Sequence, residues 1–370
     1  MRVTIVGAGI MGLSAAWALA RAGHDVRIFE QARIPNPLGS SVDQHRLIRH
    51  PYGAERGYTR MIGAAYEAWE ALWRDLGEKH YAATGTLVLE TSVGNWGEDS
   101  AASLAAEGIA FRRLTAADVA REFPLIDPAN IRFGLYLDTG GVLFADRIVA
   151  SLARWLDGRG VRIAAETRVR DIDPERRRVT LADGTAVDAD ALVVAAGPWV
   201  RRLVPALATR VTPSRQVVAY LAPPADLAEA WQRHPMILDI DPNSGFYLVP
   251  PRAGTGLKVG NHGFTLIGDP DRDRTAGEDE ARAIAGLCAP RLRDFPRYRL
   301  VEAKTCFYDV EPREHFIVET LARSAWVMSG FSGHGFKFGP VVGRELASAI
   351  AGERDACSLT AWAAGALTER

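Results

Sequence analysis

The apolar positions come in short, separable runs. Arg2 to Val6 is apolar at almost every position, the pattern of a strand buried on both faces. A glycine-rich turn, Gly7 to Gly12, follows it. Residues 13–22 are rich in Ala and Leu and predict a helix, with Gly23 placed to end it. Residues 25–30 alternate toward a second strand and complete a strand–helix–strand unit. After a Pro/Gly/Ser loop at 34–41 and a basic stretch at 45–50, residues 57–76 take a helical period. Tyr66, Trp69 and Trp73 lie at i, i+3 and i+7 of that helix, on a core-facing stripe. Strands are predicted at 86–90, 161–165, 167–172, 191–195, 217–221, 245–249, 256–261 and 325–329. Helices are predicted at 101–111, 144–158 and 279–288, with a last one from about 339, and 178–188 reads as a hairpin around Asp183-Gly184.

Composition narrows what such a chain can do. Its 370 residues carry 44 basic and 45 acidic side chains, a formal net charge of −1, with no general attraction for nucleic acid or an anionic membrane. At 48% hydrophobic and 24% charged it can bury a large core. The three cysteines, Cys288, Cys306 and Cys357, are odd in number and lack metal-finger spacing, which suits a reducing, cytoplasmic setting and predicts no metal site. Residues 3–20 superficially resemble a secretory signal. Gly7, Gly9 and Gly12 interrupt them, and they run straight into the next patterned segment, so the signal reading is set aside.

The glycines carry the first chemistry. Gly7-x-Gly9-x-x-Gly12 follows a strand and opens a helix. The first glycine permits the tight turn, the second lets a pyrophosphate approach the backbone, and the third lets helix and strand pack closely. Glu30, 18 residues after Gly12, ends the second strand, where a carboxylate can accept hydrogen bonds from ribose hydroxyls. Strand, turn, helix, strand and acid together predict dinucleotide binding. Strands of that type recur at the start, middle and end of the chain. The predicted fold is therefore α/β, with a discontinuous Rossmann-like cofactor domain over 1–78, 141–213 and 300–370. A substrate domain over 79–140 and 214–299 would rest on a mixed, largely antiparallel sheet.

Longer runs narrow the cofactor to FAD. Residues 1–30 and the run from Gly140-Gly141-Val142 to Val193-Val194-Ala195-Ala196-Gly197 resemble the D-amino-acid oxidase superfamily of flavoproteins. Four further runs, beginning Ile48-Arg49-His50, Lys304-Thr305-Cys306, Glu314-His315-Phe316 and Gly330-Phe331-Ser332-Gly333-His334-Gly335, resemble the monomeric sarcosine oxidase and N-methyltryptophan oxidase family. That resemblance implies FAD attached through a cysteine sulfur, and Cys306 holds the matching position. Read alone, Cys306 is a small buried hydrophobe. The resemblance further implies cofactor contacts at Gly7, Gly9, Ile10, Met11, Gly12, Glu30, Gln31, Ser40, Ser41, Arg46, Leu47, Val169, Ala196, Gly197 and Trp199. On the C-terminal side it implies Phe307, Phe331, Gly333, His334, Gly335, Phe336 and Lys337.

The same resemblance gives Arg49 and Lys337 the substrate carboxylate, which a planar arginine fork suits. It puts Arg46 beside the flavin, where a cation favours the anionic reduced ring, and Lys258 where its charge meets oxygen. His262 follows Lys258 at an even spacing, hence on the same face of a strand, and would contact substrate. Tyr247 and Tyr308 would line the pocket around the amine. Each has a plain reading beside this one: a solvated basic loop, an outward strand lysine, a structural histidine, core tyrosines. One segment departs from the family pattern. Ser41-Val42-Asp43-Gln44-His45 stands where relatives often carry two histidines and a threonine, so the flavin-facing side is altered. The implied activity is oxidation of a secondary amino acid to an imine, with oxygen reduced to hydrogen peroxide, by a monomer. A dehydrogenase of the same fold acting on an amine or imino acid, a tailoring oxidase of a larger cyclic amine, a flavin-binding redox sensor and an NAD enzyme are the alternatives.

Overall fold

A computed structural model describes residues 1–91, 95–240 and 245–367. Its six-stranded sheet runs in the order Ile317–Ala322, Ala325–Ser329, Ala191–Val194, Arg2–Val6, Asp25–Phe29, Arg162–Ala164. The pairings are parallel except for the edge hairpin of the first two strands. The inner strands are buried on both faces, the reason they read as unbroken apolar runs. The helices Ile10–Arg21 and Gly339–Ile350 cover one face, and their close crossing depends on glycine. A Cβ on Gly343 would sit 2.5 Å from the Ser14 backbone, and one on Gly339 would sit 2.7 Å from Ile10. A small sheet from Val169–Asp173, Arg178–Leu181 and Ala186–Asp188 packs Val169, Val179 and Leu181 on the other face.

The second sheet has eight strands: Arg299–Val310, Thr212–Ala222, Leu257–Asn261, Phe246–Val249, Met236–Asp239, Thr86–Glu90, Phe133–Leu137, Arg112–Leu114. Only Met236–Asp239 with Thr86–Glu90 is parallel. Trp231, Ile237, Leu248 and Val259 build a separate core behind it. Its open face is turned to the cofactor-side unit and carries the polar side chains described below.

Four features depart from the sequence pattern. Residues 300–310, grouped by sequence with the cofactor domain, pair along Thr212–Ala222 in the eight-stranded sheet. The helix expected at 101–111 runs instead from Trp96 to Ala106, because Gly108, at φ +67°, turns the chain out of it. Ala356–Ala363 forms a helix beyond the one expected to be last. The basic stretch contains a strand, Arg46–Ile48, held in a three-stranded sheet with Gly141–Leu143 and Tyr81–Ala83. Trp69 and Trp73 are buried as expected, while Tyr66 is half-buried. Among the described residues, no helix is long and apolar enough to cross a membrane, and no cluster of side chains suits a metal ion.

Candidate active site

Two cavities lie between the sheets, and they meet. The first starts at the glycine turn. Gly7 holds φ +104°, and a Cβ there would strike the Ala195 carbonyl oxygen at 2.3 Å. A Cβ on Gly12 would lie 2.0 Å from the Gly7 carbonyl oxygen, so the third glycine closes the turn without facing the cavity. Glu30 is buried at the end of its strand, and its carboxylate accepts from the Ala8 N–H at 2.8 Å, Asn36 Nδ2 at 2.8 Å and the Ala32 N–H at 3.1 Å. Of the predicted cofactor residues, all but Gly12, Leu47, Cys306, Phe307, His334 and Lys337 line this cavity. Arg168, Arg170 and Arg202 line it too and were missed; the only sequence signal is that the first two flank Val169.

The second cavity, of about 270 Å³, contains Arg49, Lys337, Tyr247, Lys258, His262 and Tyr308, together with Leu47 and His334. Arg46, Tyr308, Gly333 and Phe336 line both cavities and mark their junction. Residues more than 200 positions apart are thus brought to one place.

Arg49 and Lys337 are buried basic side chains. The Arg49 guanidinium lies 4.4 Å from the centre of the Tyr52 ring and 5.7 Å from that of Trp96. It donates to the Pro51 carbonyl, while its Nε–H has no partner among the described residues. Lys337 Nζ donates to the Tyr52 hydroxyl at 3.0 Å and the His334 carbonyl at 2.7 Å. The core residue Trp69 fixes Lys337 in turn, its indole donating to the Lys337 carbonyl at 2.7 Å. Burial pushes the pKa of both groups down, and the Arg49 charge lowers that of Lys337 further, so Lys337 needs a bound anion to hold its proton. An anion placed between them would relieve both penalties. Tyr52, which touches both, was not singled out from sequence.

The two pocket tyrosines need glycine neighbours. A Cβ on Gly260 would lie 2.3 Å from the Tyr247 ring, and one on Gly333, at φ +77°, would lie 2.3 Å from the Tyr308 ring. Burial raises both phenols, Tyr247 to about 12, so both stay neutral. His262 sits just past the end of the strand Leu257–Asn261 and still reaches the cavity with Lys258. Burial, with Arg49 nearby, lowers its pKa to about 4 and keeps it neutral.

Lys258 is almost fully buried. Its Nζ donates to the Asp43 carboxylate and to the His45 carbonyl, the latter at 3.3 Å. Asp43 also accepts from Arg46 Nη1 and the Tyr220 hydroxyl. Sequence reading marked this segment as altered without finding the ion triplet.

Cys306 lies behind the junction, lining neither cavity. Its Sγ is 3.8 Å from Arg46 Nη2 and 4.0 Å from the Ser40 carbonyl oxygen. Burial raises the thiol pKa and the Arg46 charge opposes that rise. Strand alternation turns the Phe307 ring the other way, with the Arg274 guanidinium 4.6 Å from its centre, while the Phe307 carbonyl accepts from Ser40. Cys288 is buried and Cys357 exposed, and both are free thiols away from the site.

Comparison with known proteins gives the family and the fold. A family model described as FAD dependent oxidoreductase matches residues 2–349. Monomeric sarcosine oxidase of Bacillus sp. (strain B-0618) is 30% identical over 359 residues, covering 93% of this chain and 90% of that protein. Peroxisomal sarcosine oxidase of Mus musculus is 30% identical over 356 residues, covering 92% and 90%. Among solved structures, L-proline dehydrogenase from P. horikoshii superposes with a TM-score of 0.84 at 19% identity, covering 98% of this chain and 96% of that one, a likeness of fold.

Proposed function

Because the chain belongs to the family of FAD dependent oxidoreductases, we propose that it is an amine oxidase acting on secondary amino acids. The observation that carries this reading is the pair Arg49 and Lys337, two buried basic side chains in a cavity that shares Arg46, Tyr308, Gly333 and Phe336 with the dinucleotide cavity. Nothing in the fold needs two such charges side by side, and a substrate carboxylate would match them.

FAD fits the first cavity on three counts. Gly7 and Gly9 leave the backbone bare at the helix start, Glu30 is presented at the strand end, and three arginines line the wall. When bound, FAD supplies a two-electron acceptor that takes a hydride equivalent from the substrate carbon beside nitrogen and passes the electrons to oxygen, giving hydrogen peroxide.

The remaining work falls to this chain's own residues. Arg49 and Lys337 hold the carboxylate and so orient the amine toward the junction. Neutral His262, Tyr247 and Tyr308 surround the amine without adding a charge that would hold it protonated. Trp96, Leu238, Ile240 and Phe264 make an apolar wall that suits an N-alkyl or cyclic amino acid bulkier than sarcosine. Arg46 stabilises negative charge at the junction.

In this reading Cys306 carries FAD through its sulfur, Arg46 favouring the thiolate. The cofactor unit is then built on 1–83, 141–211 and 311–367 and the substrate unit on the eight-stranded sheet, in a cytoplasmic monomer. The test is anaerobic addition of a panel of N-methyl and cyclic amino acids to the yellow protein, followed by air. Bleaching and peroxide support the oxidase. Bleaching without oxygen uptake identifies a dehydrogenase, and no bleaching by any member sinks the amine reading.

A further inference from the structure

Two cations, the buried Lys258 of the second cavity and the half-buried Arg46 of the junction, share one carboxylate. Asp43 is 4% exposed, and its oxygens accept from Lys258, Arg46 and Tyr220. Its backbone is held as well: the Asp43 N–H donates to Asp146 Oδ1 at 2.7 Å, and its carbonyl accepts from the Asp146 N–H at 3.2 Å. Asp43 lines neither cavity, so it can act on a ligand only through the cations it holds.

We propose that Asp43 is a positioning residue for the oxygen half of the reaction: ion-paired with Lys258 and Arg46, it keeps Lys258 charged and fixed at the wall of the substrate cavity. The inference rests on the oxidase reading above.

The groups facing Lys258 make the case. Arg46 repels its charge. The His45 carbonyl accepts its N–H, and the Tyr247 ring centre lies 5.9 Å away. The His45 ring is neutral, lowered to about 4 by burial, and the Cys306 thiol lies nearby. Asp43 is the only carboxylate in an ion pair with Lys258 among the described residues. Burial pushes the lysine down to about 8, and Asp43 holds it from falling further. The carboxylate itself stays ionised: burial would raise its pKa, but Lys258 and Arg46 outweigh that and hold it far below the usual range. Without Asp43, Lys258 would keep the His45 carbonyl but face the repulsion of Arg46 without a counter-charge in an ion pair, and would lose its proton at a lower pH.

A neutral amine has no charge to offer. Oxygen takes two electrons and one proton from the reduced cofactor and a second proton from solvent, leaving as hydrogen peroxide. The first electron makes a small anion in a cavity with little water. The Lys258 ammonium stabilises that charge and ends the step still protonated.

The experiment compares wild type with Asp43→Asn, Asp43→Glu and Lys258→Met. The oxidative half-reaction is followed by stopped flow from pH 5.5 to 9.5. Wild type should lose rate as pH rises through about 8, where the ammonium deprotonates. Asp43→Asn should lose it about one to two pH units lower, the usual size for removing a close opposite charge. Near pH 7.5 that is a loss of roughly 3- to 25-fold, regained on acidification. Asp43→Glu, which keeps the charge, should restore most of the wild-type profile, and Lys258→Met should show no such limb. A readout independent of flavin comes from urea unfolding of the apoprotein. There Asp43→Asn and Lys258→Met should be non-additive, the double variant losing less than the two singles together. A uniform slowing with the wild-type midpoint, or additive unfolding effects, would overturn the inference. Failure of wild type to be reduced or to consume oxygen would instead sink the oxidase reading itself.

Discussion

Arg49→Met removes a guanidinium that is buried beside Tyr52 and Trp96 and that, among the described residues, has an unpaired Nε–H and no carboxylate in an ion pair. Methionine is of similar length and apolar. Two opposite effects should follow. In the ligand-free protein the change deletes a desolvated charge, whose burial costs a few kcal/mol unless matched. Against this stands the loss of the Tyr52 cation–π contact, up to about 2 kcal/mol when desolvated, and of one hydrogen bond to the Pro51 carbonyl. The balance is a small change of stability, about 1 kcal/mol either way and more often a gain. Carboxylate binding loses far more. Stranding a buried carboxylate costs about 2–5 kcal/mol, or roughly 30- to several-thousand-fold in Kd. The assay pairs urea unfolding of the free protein with titration of flavin absorbance by a carboxylate inhibitor and by its primary amide. The carboxylate should weaken steeply and the amide little. A variant that unfolds more easily by several kcal/mol yet binds both ligands as wild type does would refute the clamp and make Arg49 structural.

Three further outcomes are expected. Denatured wild-type protein should exceed its chain mass by one FAD and Cys306→Ala should not; mass spectrometry decides, and a bare wild-type chain rejects the thioether. Gly333→Ala should cut kcat/KM and cost about 2–4 kcal/mol, because its Cβ would meet Tyr308 at 2.3 Å in a left-handed backbone; Gly352→Ala, at φ +79° with open space around it, should cost only about 1 kcal/mol. Asp309, buried and accepting from the Ser329 hydroxyl and the Gly330 N–H, titrates near 6, raised by burial from 3.8. Between those values the folded protein binds the extra proton, so this group's contribution to stability is full at acid pH and lost as pH rises through about 6. The wild-type-minus-Asp309→Asn difference in unfolding free energy should therefore fall by up to about 2–3 kcal/mol from pH 4 to pH 7; a flat difference would show that Asp309 does not titrate there.

The sequence by itself determined the features that depend on neighbours along the chain. The turn at Gly7–Gly12, the helix behind it and the acid at Glu30 all lie within one short unit, where glycine freedom and apolar period act locally. Family likeness added Arg49, Lys337, Tyr247, Tyr308, Lys258 and His262, and the fold gathers all six into one cavity.

Only the tertiary structure decided the rest. Strand Arg299–Val310 carries charge on an exposed edge over its first half, so its sequence lacks the alternation that marks a strand, and its membership of the second sheet depends on pairing with residues some 80 to 100 positions earlier. Arg46–Ile48 becomes a strand because Gly141–Leu143 arrives beside it, not through its own propensity. Asp43 and Lys258 are 215 residues apart. Their chemistry depends on a close contact and on the exclusion of water around it. No spacing along the chain encodes either, because charge strength in a protein depends on which groups the fold removes from solvent together.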